Sequence, residues 1–231
     1  KQIVSLVRRA FSGHLDKGLR PAERRSGTAR LRSAPTLSLT TRDSEQAHLC
    51  LGVRAFGRHE GHRWALSVLN SAVGGGLSSR LFQEIREERG LAYSVYSSVD
   101  TFADSGAFSV YAGCQPENLG EVTKVIREVL AKVASEGITD AECARAKGSL
   151  RGGLVLGLED SGSRMNRIGR SELNYGNHRD ITDTLARIDS VGNDEVREVA
   201  AVLLERPFGA AVVGPYKNVR QLPASVRSLV R

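Results

Sequence analysis

Aromatic side chains are scarce. Phe, Trp and Tyr together make up 5% of the 231 residues, with one Trp and one Met. A nucleic-acid face in which rings alternate with basic side chains is therefore not expected, and no recognised nucleic-acid module is present. Cysteine is scarcer still. Cys50, Cys114 and Cys143 are odd in number and far apart, which argues against a disulfide framework and against a cysteine-rich zinc knuckle. They are read as reduced thiols. No hydrophobic run approaches the ~20 residues that span a bilayer, and no apolar leader opens the chain. No membrane partner is expected, and the expected compartment is the cytoplasm. The first residue is Lys1 and the only Met is Met165, so the chain is read as a fragment or processed product.

The net charge is +7, and it is unevenly spread. Lys17, Arg20, Arg24, Arg25, Arg30 and Arg32 face Glu23 alone within one short stretch, and Lys217, Arg220, Arg227 and Arg231 close the chain without an acid among them. Both segments read as solvated basic stretches rather than as a nucleic-acid site. With 40% hydrophobic and 26% charged residues of both signs, the remainder has the composition of a folded domain.

Several chemistries lack their signatures. Neither H-E-x-x-H nor the inverted H-x-x-E-H occurs. His59-Glu60-Gly61-His62 comes nearest, but Glu60 falls on a different helical face from the two histidines and a third ligand is missing. It reads as a polar helix start, and no metal ligand is assigned in this chain. His14, His48 and His178 stand alone. There is no G-x-S-x-G nucleophile elbow. Gly74-Gly75-Gly76 opens a helix but lacks the Walker Lys-Ser/Thr and the Rossmann spacing. It reads as a tight turn between packed helices, so no cofactor-binding residue is assigned either.

The periodicity gives an order of elements. Ile3, Val4, Val7, Ala10 and Phe11 share one helical face. Residues 16–35 show no period and carry Arg, Gly, Ser and Pro, the composition of a linker. Strands are expected at 36–40 and 48–53, then a helix with Trp64, Ala65, Val68, Leu69 and Ala72 inward, and a second helix over 78–89 closed by Gly90. A hairpin with strands 92–102 and 106–113 follows. A long helix carries the stripe Leu119, Val122, Ile126, Val129, Leu130 and Val133 and stops at Gly137. Thr139-Asp140-Ala141-Glu142 matches a capping box. Its helix runs towards Tyr175, with a break expected at Gly152-Gly153 or at Ser161-Gly162. A last helix starts near Asn193, and 208–213 is a final strand. Strands and helices do not alternate, so the expected fold is α+β: a two-layer sandwich with a largely antiparallel sheet and helices on one face.

The most informative stretch runs from Gly74 to Tyr96: GGGLSSRLFQEIREERGLAYSVY. It resembles the carboxy-terminal half of the pitrilysin, insulinase and mitochondrial processing peptidase family of zinc metallopeptidases, and the resemblance extends over roughly 36–215. It implies a division into the last helix of a preceding catalytic domain (1–15), a basic inter-domain linker (16–35), a carboxy-terminal peptidase-family domain (36–215) and a basic tail (216–231). It also implies two similar halves that close around a peptide or small protein. The absent amino-terminal half would be this chain's partner in the same polypeptide; it would bind the zinc and hold the substrate as an added strand. A homodimer is a further assembly that the sequence leaves open.

In this family the carboxy-terminal half presents an Arg and a Tyr seven residues apart, and Arg86 and Tyr93 match that pair. The resemblance implies that Arg86 contacts a peptide carbonyl and that Tyr93 donates to the developing oxyanion. Without it, the same residues would be a helix-terminal arginine and an aromatic on a strand. The intact protein is accordingly expected to be a zinc endopeptidase, with this fragment inactive by itself. The alternative is a structural or substrate-recognition homologue that has lost catalysis.

Overall fold

The computed structural model describes residues 1–15 and 36–230. The linker read at 16–35 and the terminal Arg231 lie outside the described residues. Two units are distinguished, 1–30 and 31–231, and each is taken by itself. In the first, α1 (Gln2–Leu15) is the expected amphipathic helix.

The second unit is built on five strands: β1 (Leu37–Thr41), β2 (Ala47–Ala55), β3 (Ala92–Thr101), β4 (Gly106–Cys114) and β5 (Phe208–Gly214). Their order is β1-β5-β2-β4-β3, and every neighbouring pair is antiparallel except the parallel β1–β5 pair. Period-two alternation sorts the faces. Along β2, Ala47, Leu49, Leu51, Val53 and Ala55 are buried, whereas His48, Cys50, Gly52 and Arg54 point the other way. The buried face receives α2 (Arg63–Gly74), α3 (Leu119–Glu136) and α7 (Asn193–Leu204), which also pack on one another. The expected stripe of α3 is buried throughout. This is the α+β two-layer architecture anticipated from the sequence.

Gly74 shows why the glycine turn is where it is. A Cβ there would lie 2.3 Å from the Ser97 backbone nitrogen on β3 and 2.5 Å from its Oγ. Helix and strand thus approach more closely than any side chain permits. At the other end of the segment, Gly90 adopts φ +61°, the left-handed conformation expected of a residue that ends a helix.

Between these glycines the chain departs from expectation. The predicted helix over 78–89 is largely a π turn, Phe82–Glu87, with Glu88 N–H donating to Gln83 O at 2.9 Å and Leu91 N–H to Ile85 O at 2.8 Å. Apolar spacing does not distinguish a π turn from an α-helix here, because Leu81 and Ile85 are fully buried anchors in either case.

The capping box of α4 (Asp140–Leu156) is present, and it has a second role. Arg80 makes a bidentate pair with Glu142, at 2.6 and 2.7 Å, which ties the glycine-turn segment to the start of α4. The Arg80 guanidinium, with help from Thr139, lowers the Glu142 carboxyl to about 2 against the opposing effect of burial. A carboxyl depressed on folding contributes stability that is complete above its unfolded value of ~4.3 and is lost as pH falls towards 2. Urea unfolding at pH 7 and pH 3 should therefore show a smaller acid loss of stability in Glu142→Gln than in the wild type. Equal losses would mean that the pair contributes nothing to the acid limb.

Of the two expected break points, Gly152-Gly153 stays within α4, and the chain turns just before Ser161. There Asp160 caps α5 (Ser161–Tyr175) by accepting from Ser163 N–H at 2.6 Å. A helix not foreseen, α6 (Ile181–Ser190), is capped by Asp180 and buries only Ile188 among its residues, which is too sparse an apolar signal to read by period. The segment read as a basic tail from 216 is folded onto the domain. Leu222, and Val226 in α8 (Ala224–Arg227), are buried in the core, and the Tyr216 hydroxyl donates to Pro116 O at 2.7 Å. Counting charges concealed those apolar anchors.

Candidate functional site

Opposite the buried face, the described strand residues are more exposed, and the predicted pair lies at one end of that side. Arg86 sits in the last turn of the π segment, whose buried Ile85 fixes it to the core. Tyr93 occupies an irregularity of β3. Ala92 pairs with Cys114 and Ser94 with Gly113, so Tyr93 is the extra residue of a β-bulge and is 74% exposed. The structure brings the two together. The Arg86 guanidinium lies 5.3 Å from the Tyr93 ring centre and 4.9 Å from that of Phe82. Such stacking positions a cation without consuming its in-plane donors. The nearby Glu87 carboxylate is 3.9 Å from Nε and half exposed, a weak competitor for the fork. A guanidinium and a phenol, both accessible and in contact, can together receive a carbonyl oxygen as it gains negative charge.

The same face carries a row of rings that the sequence pattern alone did not mark as a site. Tyr96 and Tyr111 are register partners with ring centres 5.0 Å apart. The Tyr111 hydroxyl is 2.8 Å from His48 Nδ1, and the tautomer decides which donates. Burial and the neighbouring Tyr96 raise the Tyr111 phenol above its ordinary value, so it stays protonated at neutral pH. His48, Tyr96 and Tyr111 all occupy polar positions of alternating strands. The signal was in the sequence, but it takes the pairing register to place the three on one surface. The row begins at the end of the sheet where Ala92 and Ala47 both pair with Cys114, so it is continuous with the Tyr93 bulge.

The remaining candidates separate. His59 meets the Tyr175 ring edge-on at 5.6 Å, and His62 stacks on Phe56 at 5.0 Å. Between them, Glu60 accepts from Gly57 N–H at 2.6 Å. The three side chains are engaged in different directions and do not fit a zinc ion. Among the described residues no cluster of three or more His, Cys, Asp or Glu side chains is suited to a metal. Cys114 is buried, and desolvation followed by the charge of Glu117 pushes its thiol up to about 11, the opposite of a nucleophile's requirement.

Comparison with known proteins gives this fold a family. The family model of the peptidase M16 inactive domain matches residues 1–150. A Mycobacterium tuberculosis protein named an uncharacterized zinc protease is 60% identical over 228 residues, 99% of this chain and 52% of that protein. A Streptomyces coelicolor protein of the same description is 50% identical over 220 residues, 94% of this chain and 48% of the relative. The crystal structure of a protease from Helicobacter pylori superposes with a TM-score of 0.77 at 20% identity, covering 91% of this chain and 52% of that one. It shares the fold. The chain belongs to the M16 family of zinc proteases, pitrilysin- and insulinase-like, as an inactive carboxy-terminal domain. It spans about half the length of the relatives it matches.

Proposed function

We propose that this domain is the zinc-free half of a zinc-dependent endopeptidase, and that it closes over a peptide to present Arg86 and Tyr93 to the scissile carbonyl. The observation that carries this is the exposed Arg86–Tyr93 stack at the rim of the exposed sheet face. Zinc belongs to the preceding half of the intact protein, where it supplies Lewis-acid and nucleophile-generating chemistry. This half's own contribution is orientation and charge stabilisation. Arg86 offers its planar fork to a peptide carbonyl, and Tyr93 donates its phenolic proton in a hydrogen bond to oxygen as charge develops there. On this reading α1 is the last helix of the catalytic half and 16–35 is the connection between halves.

The 231-residue chain by itself should retain no zinc after dialysis and should hydrolyse no peptide. The intact protein should retain zinc and hydrolyse the peptide. Metal analysis together with a fluorogenic peptide assay on the two proteins tests this. Stoichiometric zinc on the isolated chain, or an intact protein that binds zinc yet cleaves nothing, contradicts the proposal.

A further inference from the structure

At the opposite end of the sheet, beyond Ala55 and Gly106, the molecule holds a second constellation. The segment 58–65 and α6 enclose a cleft of about 850 Å³. It adjoins another of about 590 Å³ against α4 and α5, and Arg63 and Arg179 line both. The walls carry Arg58, Arg63, Arg167, Arg170, Arg179 and Arg187. Among the described residues, none of these six is within 4.0 Å of a carboxylate oxygen. Of the acids in the walls, Glu60 and Glu195 accept from the backbone N–H groups of Gly57 and Gly192. Asp183, on α6, is the third carboxylate of the walls, so three acids stand against six arginines.

Four of the six arginines are nevertheless held in place. Arg63 lies 4.1 Å over the Trp64 ring and donates to the Tyr175 hydroxyl at 2.7 Å. Arg179 lies 3.5 Å over the other ring, that of Tyr175. Arg58 donates to Asn174 Oδ1 at 2.7 Å and to Thr101 O at 3.2 Å. Arg167 donates to Arg179 O and to Thr184 Oγ1. Every one of these partners is neutral.

Guanidiniums held by rings and neutral acceptors make no direct ion pair and keep most of their five N–H donors free, and six of them outnumber the three carboxylates of the walls. Gathering like charges around a cavity is unfavourable unless an anion joins them. Arg63 covers a face of Trp64 and Arg179 a face of Tyr175, so each ring already holds a guanidinium where a base would stack. The cleft volume is that of a small-ligand site. From this geometry we infer that the cleft binds a compact polyanion bearing phosphate groups, read by charge and by guanidinium forks, at a place distinct from Arg86 and Tyr93.

Titration calorimetry of inorganic pyrophosphate into the 231-residue chain tests it. The expected result is saturable binding that weakens as salt is raised. Arg63→Gln and Arg179→Gln should each weaken it about tenfold or more. Arg145→Gln, an equal loss of charge on α4 outside both clefts, should leave it unchanged. Circular dichroism and melting without ligand establish that the variants fold, and Arg63→Lys, which keeps charge without the fork, should fall between. Two further arms identify the ligand's source. ATP should bind no more tightly than inorganic tripolyphosphate, and tetraglutamate should bind more weakly than either. The inference is overturned by an absence of saturable heat or by equal losses in the cleft variants and Arg145→Gln. Undiminished binding in Arg63→Gln and Arg179→Gln, which would place the anion on the basic 16–35 segment instead, overturns it too. So does binding of ATP without tripolyphosphate, or of tetraglutamate as tightly as pyrophosphate.

Discussion

Replacing Tyr93 by Phe in the intact protein should, if it is the zinc endopeptidase proposed above, lower kcat by roughly 100- to 1,000-fold while moving KM little. That range corresponds to about 2.7–4 kcal/mol of transition-state stabilisation, the usual consequence of removing one oxyanion donor. Several features make the change clean. The phenol is 74% exposed on a bulge, so losing its hydroxyl leaves no buried partner unsatisfied. The ring that faces Arg86 at 5.3 Å remains, so the guanidinium keeps its neighbour. A carbonyl in the bound peptide carries less charge than the oxyanion that follows it, so the lost donor matters chiefly after binding. Steady-state kinetics on a fluorogenic peptide separates the effects. A rise in KM at constant kcat would make Tyr93 a ground-state contact. Arg86→Lys in the same assay loses the planar fork and the stack together, and it should affect both constants.

Gly74→Ala is expected to destabilise the fold by about 3 kcal/mol through overpacking, although it adds a single methyl. The added carbon would lie 2.3 Å from the Ser97 backbone nitrogen, which belongs to a strand and cannot rotate aside. Either the end of α2 or the middle of β3 must move. Ser97 Oγ also bonds Asn70 Oδ1 and O, so the same shift breaks the contact that ties helix to strand. The strand displaced is the one that carries Tyr93 and Tyr96, so the damage reaches the site as well as the core. Thermal unfolding of the 231-residue chain should show a fall of about 6–12 °C, by the usual scaling for domains of this size. Gly148→Ala provides the contrast. It sits inside α4 with open space around it and should gain roughly 0.5–1 kcal/mol. Similar melting temperatures for the wild type and Gly74→Ala would mean that helix and strand are not locked at this point.

The elements that were legible in the sequence share a cause: strong periodicity with an explicit stop. The stripe from Leu119 to Val133 could be read because each member is buried and Gly137 ends it, and the Thr139–Glu142 box marks the next start. α6 escaped because a capped helix with one buried residue has almost no periodic signal. The π turn escaped because its anchors, Leu81 and Ile85, fit an α-helix equally well, and the additional residue per turn shows only in the hydrogen bonds. In the candidate site, Arg86 and Tyr93 were singled out by the family resemblance of the 74–96 stretch and not by spacing alone, while their contact depends on a bulge that spacing cannot announce. The His48–Tyr111–Tyr96 row needed the register of three strands. The arginine cleft needed more, since its arginines come from two loops and three helices spread over more than half of the chain.

Affinity for a phosphinic peptide, which mimics the tetrahedral species formed at the scissile carbonyl, tests the central claim most directly. The inhibition constant is to be compared between the intact wild type and Tyr93→Phe, alongside that of an uncleaved ground-state peptide. The predicted result is weaker binding of the phosphinate by the same factor that kcat falls, with the ground-state peptide unaffected. A variant that holds the phosphinate as tightly as the wild type would contradict a role for Tyr93 in stabilising the oxyanion.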